Sequence, residues 1–255
     1  MSARREQPIL KTASEIEAMK EAGRISAKVL RMAGEIVRPG ISTLELDNYV
    51  ETLIRMEGAT PSFKGLYGFP GSICASPNGM VVHGIPSKDV ILKSGDVISI
   101  DTGATVDGWV GDNAWTFPVG EVSDEAKLLL KTTEQCMWNG IAAAVVGGKL
   151  GDIGHAVQST AEAQGFGVVR EYVGHGVGRV MHEPPNVPNS GKKGKGMVLP
   201  EGLVIAIEPM INAGTHKVHT ISDGWGVVTN DGKYSAHFEK TIAVTADGPI
   251  LITTE

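Results

Sequence analysis

Five side chains are candidates for holding divalent cations: Asp101, Asp112, His175, Glu208 and Glu239. Taken singly they say little, since an Asp beside a Gly is usually a turn residue and a His between glycines a loop residue. A near-repeat gathers them. Leu92-Lys-Ser-Gly-Asp-Val-Ile-Ser-Ile-Asp101 reads against Leu199-Pro-Glu-Gly-Leu-Val-Ile-Ala-Ile-Glu208, with the leucine, the glycine, the Val-Ile pair and the last isoleucine in register. A buried strand explains the apolar positions; it does not explain an acid closing both copies. A histidine precedes each copy, in His83-Gly-Ile-Pro86 and in His182-Glu-Pro-Pro185. The chain reads as two related halves, each bringing a histidine and an acid to one cleft on a pseudo-twofold axis.

Charge decides what such a cleft could do. Four carboxylates held together repel, and burying them unpaired would cost several kcal/mol each. Two divalent ions would offset them, with His175 binding as a neutral imidazole. Oxygen and imidazole ligands without a thiolate suit Mn, Fe, Co or Zn. With only Cys74 and Cys136 in the chain, a Cys-type structural zinc site is excluded. Paired ions make a nucleophile of water at neutral pH, so hydrolysis is the expected chemistry. Glu208 could then handle a proton. His83 and His182 could donate to a carbonyl oxygen as it gains negative charge.

These side chains need elements to position them. Ser14-Glu-Ile-Glu17 reads as a capping box opening a first helix, with apolar residues at helical spacing as far as Ile36 and a stop at Pro39-Gly40. Ser42-Thr-Leu-Glu45 opens a second helix that ends at Gly58. A third is expected from about Ser123 toward Gly147-Gly148, and a fourth from about Asp152 to Gln164. Glycine- and proline-rich strand sequence follows each helix pair. The order helix, helix, strands occurs twice, over about 13–120 and 121–255. It predicts an α+β protein with helices packed on the outside of a curved antiparallel sheet. Alternation places Asp101 with Ser99 and Val97 on one face, and Glu208 with Ala206 and Val204. Ile98, Ile100, Ile205 and Ile207 then face the helices. The Asp112 strand pairs with the Asp101 strand through a turn near Asp107-Gly108.

Composition bounds the alternatives. The chain has 255 residues, 42% hydrophobic and 20% charged, with a net charge of −6. That balance argues against a general nucleic-acid backbone binder. Lys192-Lys193-Gly-Lys195 reads as a solvated loop. Two cysteines make no disulfide framework, and Cys136 on its helix reads as packing. No apolar run is long enough for a membrane span, and the start Met1-Ser-Ala-Arg-Arg-Glu-Gln7 has no signal-peptide pattern. The expectation is a single domain over 1–255, located in the cytoplasm.

At this point a resemblance adds detail. Val82-His-Gly-Ile-Pro86, Ser99-Ile-Asp101, Gly111-Asp112, Gly174-His-Gly-Val-Gly-Arg179, His182-Glu-Pro184, Ile207-Glu-Pro-Met210 and Phe238-Glu-Lys-Thr241 together are similar to the site motifs of the type I methionine aminopeptidases. These belong to the M24 peptidases, and the resemblance runs over essentially the whole chain. It implies the pita-bread fold, with two pseudo-twofold halves. It implies that Asp101, Asp112 and Glu239 hold one ion, and Asp112, His175, Glu208 and Glu239 the other, with Asp112 and Glu239 bridging. It gives His83 and His182 to the substrate, and to Glu208 a second role in proton handling. It maps a methionine pocket near Phe63, Leu66, Phe69, Cys74, Met181 and Trp225. Here the chain departs from the family, where an aromatic is common at Leu66 and Met181 and a cysteine at Phe63. The resemblance also implies a monovalent cation near Asn78, Met80 and Ser235. Its substrates would be nascent polypeptides and peptides beginning with Met before a small residue. A transient ribosome association and a monomeric state follow from the same source. The chain's own start, Met1-Ser2, has the form of such a substrate.

Two other readings compete. A proline-specific peptidase of the same fold would cleave X-Pro peptides. A non-enzymatic pita-bread binding protein would typically have lost ligands, and all five are present here.

Overall fold

Thr12, rather than Ser14, opens the first helix. Two capping boxes overlap in this sequence, Thr12 with Glu15 and Ser14 with Glu17. The earlier one forms: Thr12 accepts from the Glu15 N–H, and Glu15 reaches back to the Thr12 N–H. Ser14 therefore lies inside the first turn of α1 (Ala13–Ile36). In this computed structural model, which describes residues 7–255, α2 (Thr43–Met56) begins at the Ser42–Glu45 box as expected. Met1–Glu6, and with them the Met1-Ser2 start, lie outside the described residues.

The third helix, α3 (Asp124–Ala142), stops short of Gly147. The following backbone bonds elsewhere: Gly147 donates to the Leu199 carbonyl and Leu199 to that of Gly148, both at 2.9 Å. α4 (Leu150–Glu162) starts where the Asp152 carboxylate accepts the Lys149 N–H at 2.8 Å.

The paired strands are all antiparallel and fall into hydrogen-bonded groups of four, three, three and five among the described residues, rather than one continuous sheet. In the first half a long hairpin, Val97–Val106 with Trp109–Pro118, turns at Asp107-Gly108. Ile98 and Ile100 pack behind it with Ile25, Val29, Leu46 and Val50 of α1 and α2. In the second half, Val204–Ile207 pairs with Lys240–Thr245. Ile205, Ile207 and Ile242 pack there with Leu129, Met137, Ile153 and Val157 of α3 and α4. Burying each such side chain contributes roughly 1.5–3 kcal/mol. The two cores thus anchor the backs of the strands whose fronts carry the acids. Trp115 touches both cores and meets Phe238 edge-on at 4.6 Å.

A seam of hydrogen bonds joins the halves. Glu239 N–H donates to the Ala114 carbonyl at 2.9 Å, and Thr241 Oγ1 to that of Asp112 at 2.8 Å. Thr116 Oγ1 donates to the His237 carbonyl and accepts the His237 N–H, each at 2.8 Å. At the hairpin tip the Arg179 guanidinium lies 3.6 Å over the Trp109 ring and donates to the Asp107 carbonyl at 2.7 Å. Before α1, the Lys11 ammonium reaches across to a buried ion pair with Glu183 of the second half. Among the described residues, no helix is long and apolar enough to cross a membrane.

Candidate metal centre and substrate cleft

Register brings the acids together. On the hairpin, Asp101 is opposite Ala114 and Asp112 opposite Gly103, so the two aspartates sit diagonally on one face. Gly103 lets other side chains pack closely on that face: a Cβ there would come within 2.9 Å of Met181 Cε and of Ser62 Cβ. In the second half, Lys240 pairs with Ile207. Glu239 and Glu208 lie one step beyond that pair, on the front face shared with Thr241 and Ala206.

His175 is delivered by a short strand, Gly174–Gly176, wedged between Glu183–Val187 and Val204–Ile207. Its neighbours must be glycine. A Cβ on Gly174 would lie 2.3 Å from the Ala206 carbonyl oxygen, and one on Gly176 2.5 Å from that of Pro184. His175 Nδ1 lies 2.9 Å from the Gly176 carbonyl, which can only accept, so Nδ1 carries the proton. Nε2 then turns its lone pair toward Asp112 Oδ2 at 3.5 Å and Glu208 Oε1 at 3.4 Å. A lone pair aimed at two carboxylates needs a cation or a proton between them.

The electrostatics agree. Asp101 and Glu239 are held well above the usual carboxylate range, by burial first and then by neighbouring acids. Burial, with help from Asp112 and against the pull of His175, pushes Glu208 up to about 8. Burial pulls His175 down, but its hydrogen bond with Asp112 and the charges of Glu208 and Asp112 outweigh that and raise it to about 9. Two buried carboxylate oxygens, Asp101 Oδ1 and Glu239 Oε1, have no hydrogen-bond partner among the described residues. Asp112, His175 and Glu239 each offer an atom within 4.8 Å of the others. Unpartnered buried oxygens beside one oriented imidazole fit a divalent cation.

A cleft of about 1360 Å³ opens over these groups. Its apolar part is built from Phe63, Leu66, Phe69, Cys74 and Trp225, with Phe69 and Trp225 edge-to-face at 5.1 Å. Cys74 is the cross-strand neighbour of Asp101, which puts this apolar part directly beside the acids. Burial and the charges of Asp101 and Asp112 push the Cys74 thiol well up, so it stays a neutral, packing side chain. Met181 belongs to the same apolar cluster and lies over Gly103 on the acids' face, but it is not among the residues that line the cleft. Met210, Tyr67 and Tyr172 do line it.

His83 and His182 flank the cleft. His83 has left-handed backbone (φ 61°) and meets the Tyr172 ring edge-on at 5.6 Å. Burial lowers its pKa. His182 lies 4.4 Å from the His175 ring and 6.0 Å from that of Tyr67. Partial burial, aided by the charge of His175, lowers it to about 4, so at neutral pH it is an uncharged donor. Asn78 and Ser235 also meet, with Ser235 N–H donating to the Asn78 carbonyl at 2.9 Å. Sequence reasoning passed over His237, which lines the cleft 3.7 Å from Glu208 Oε2. It stands two residues before Glu239, so strand alternation could have placed it on the acids' face.

Fold and site together define a metallopeptidase: the chain belongs to metallopeptidase family M24, whose model matches residues 17–246. Within that family it is similar to methionine aminopeptidases. It is 52% identical to methionine aminopeptidase 1 of Bacillus subtilis over 96% of this chain and 98% of that protein. It is 51% identical to the methionine aminopeptidase of Clostridium perfringens, with the same coverage. The crystal structure of methionine aminopeptidase from Thermotoga maritima superposes with a TM-score of 0.96 at 42% identity, covering 98% of this chain and 100% of that one.

Proposed function

We propose that this protein is an aminopeptidase that removes the N-terminal methionine from nascent polypeptides and peptides whose second residue is small. The observation that carries this reading is the pairing of a buried acid cluster with an apolar pocket, joined by the Cys74–Asp101 register. A thioether side chain seated among Phe63, Phe69, Cys74 and Trp225 leaves the first peptide bond over the acids. In this reading Asp101, Asp112 and Glu239 hold one divalent ion, and Asp112, His175, Glu208 and Glu239 the other. The orphaned oxygens of Asp101 and Glu239 support a cation beside these two residues. Such ions, when bound, polarise the scissile carbonyl and make a water nucleophilic at neutral pH.

The chain's own residues do the rest. His83 and His182 donate to the carbonyl oxygen as it takes negative charge. Glu208 takes a proton at its carboxylate and passes it to the leaving amine. Apolar walls exclude bulk water. The ligand set accommodates Co, Mn, Fe or Zn. The proposal includes a monovalent cation near Asn78, Met80 and Ser235. It also includes a single catalytic domain over 1–255 that acts as a monomer in the cytoplasm and contacts ribosomes transiently.

The test is release of methionine from Met-Ala-Ser by metal-stripped protein, before and after Co, Mn, Fe or Zn is returned, against an Ala-Pro control peptide. Metal-dependent cleavage of the methionyl peptide alone is the expected outcome. Cleavage of the prolyl peptide alone would assign the protein to X-Pro chemistry, and silence on both would make it a binding protein.

A further inference from the structure

The cleft wall contains a buried side chain for which the scheme above has no task. His237 is 2% exposed, and its Nε2 is shut off from solvent with no hydrogen-bond partner among the described residues. Its backbone is fixed on both sides by Thr116 Oγ1, so the ring cannot swing away with a loop. Nε2 points at two oxygens, Glu208 Oε2 at 3.7 Å and Glu239 Oε2 at 4.0 Å.

Glu208 consequently lies between two imidazoles, each facing a different oxygen. His175 Nε2 faces Oε1 at 3.4 Å and, in the neutral form with its proton on Nδ1, offers a lone pair to a cation. His237 Nε2 faces Oε2, the oxygen that the His175 side leaves free. A neutral imidazole has one N–H. A buried N–H aimed at a carboxylate oxygen forms a strong, charge-assisted bond. Closing by under about 1 Å brings the pair to hydrogen-bond distance. A side chain without a donor would leave Oε2 free to turn onto the metal side, and Glu208 would lose its fixed orientation.

We propose that His237 is a positioning residue for Glu208: its Nε2–H donates to Glu208 Oε2 and so reserves Oε1 for the ion shared with His175. The proposal rests on the reading of Glu208 as a metal ligand. It extends the five-residue set by a group that does not touch the ion but decides which carboxylate oxygen does. Outer-shell partners of this kind typically change metal affinity or activity by about 10- to 100-fold when removed.

The test compares His237→Gln, which keeps an N–H donor, with His237→Leu, which fills the space without one. Metal-stripped protein is titrated with cobalt(II), reading the dissociation constant and the visible spectrum, and kcat and KM are measured separately. The expected result is that His237→Leu binds cobalt about 10- to 100-fold more weakly, with altered bands and a lower kcat at little-changed KM. His237→Gln should restore the affinity and the bands. Wild-type affinity and spectrum in the leucine variant would overturn the proposal. So would equal losses in both variants, which would make His237 a direct ligand. If His237→Leu does not fold, His237→Ala serves in the same comparison. Failure of wild-type protein to take up cobalt would sink the metal reading itself, a separate result from any difference between variants.

Discussion

At the scale of single residues, the site is built to hold protons until something displaces them. In the metal-free protein Glu208 is raised from 4.5 to about 8 and His175 from 6.5 to about 9. Both keep protons in the folded state that the unfolded chain releases. Where the folded state binds more protons, stability falls as pH rises. His182, lowered to about 4, works the other way, but only below its ordinary value of 6.5. Lys240, lowered to about 8, opposes the trend only above that pH. The clean window therefore runs from 6.5 to about 8. Urea unfolding of metal-stripped protein should show a stability that declines across this window. Added divalent metal should reverse the slope, because ions replace the protons and bind more tightly as protons leave. A rising profile without metal would mean that these groups are not protonated as described. Asp101 and Glu208 were legible in the sequence because a strand repeats with an acid at the same end twice. His237 was legible too, by its two-residue spacing from Glu239, but nothing in the repeat drew attention to it.

At the scale of elements, glycine spacing does the positioning. The Gly174–Gly176 strand squeezes between two others, and the backbone on either side of His175 touches neighbouring carbonyls. A Cβ on either glycine would meet one of those carbonyl oxygens at 2.3 or 2.5 Å. Gly176→Ala should push the strand away from Pro184 and carry His175 with it. Overpacking of this kind costs about 1–3 kcal/mol. Urea midpoints should drop accordingly, and cobalt affinity should fall in the same variant. Unchanged affinity would show that the strand absorbs a methyl group without moving His175. Helix boundaries were read less well than helix faces. Apolar spacing fixes a face locally, whereas the end of α3 is set by bonds to Leu199, far along the chain. The Thr12 cap was missed because its box overlaps an equally well-formed one.

At the scale of the whole molecule, the two halves are locked by contacts that no local pattern announces. Lys11 and Glu183 are 172 residues apart, and each side chain is 2% exposed. Glu183 also accepts the Arg179 N–H at 2.9 Å, so the pair braces the loop carrying His182. Lys11→Met would leave a buried carboxylate without its counter-charge, which costs about 3–5 kcal/mol. Chemical denaturation should register that loss, and the added change Glu183→Leu should recover much of it. Equal instability in single and double variants would mean that the pair matters for packing rather than for charge. The duplicated order of helices and strands was readable from periodicity. The seam was not, because residues that face each other across it share no spacing in the chain.

Time enters through the same brace. The helices and the Val97–Val106 hairpin join near neighbours, which a folding chain finds quickly. Lys11 must find a partner 172 positions away, and such a loop closes only at an entropic cost that grows with its length. A refolding molecule therefore forms its helices and its hairpin before its two halves close on each other, and the acids, which come from both halves, meet only at that later stage. Competence to bind a cation and to turn over substrate should both appear later than helical structure.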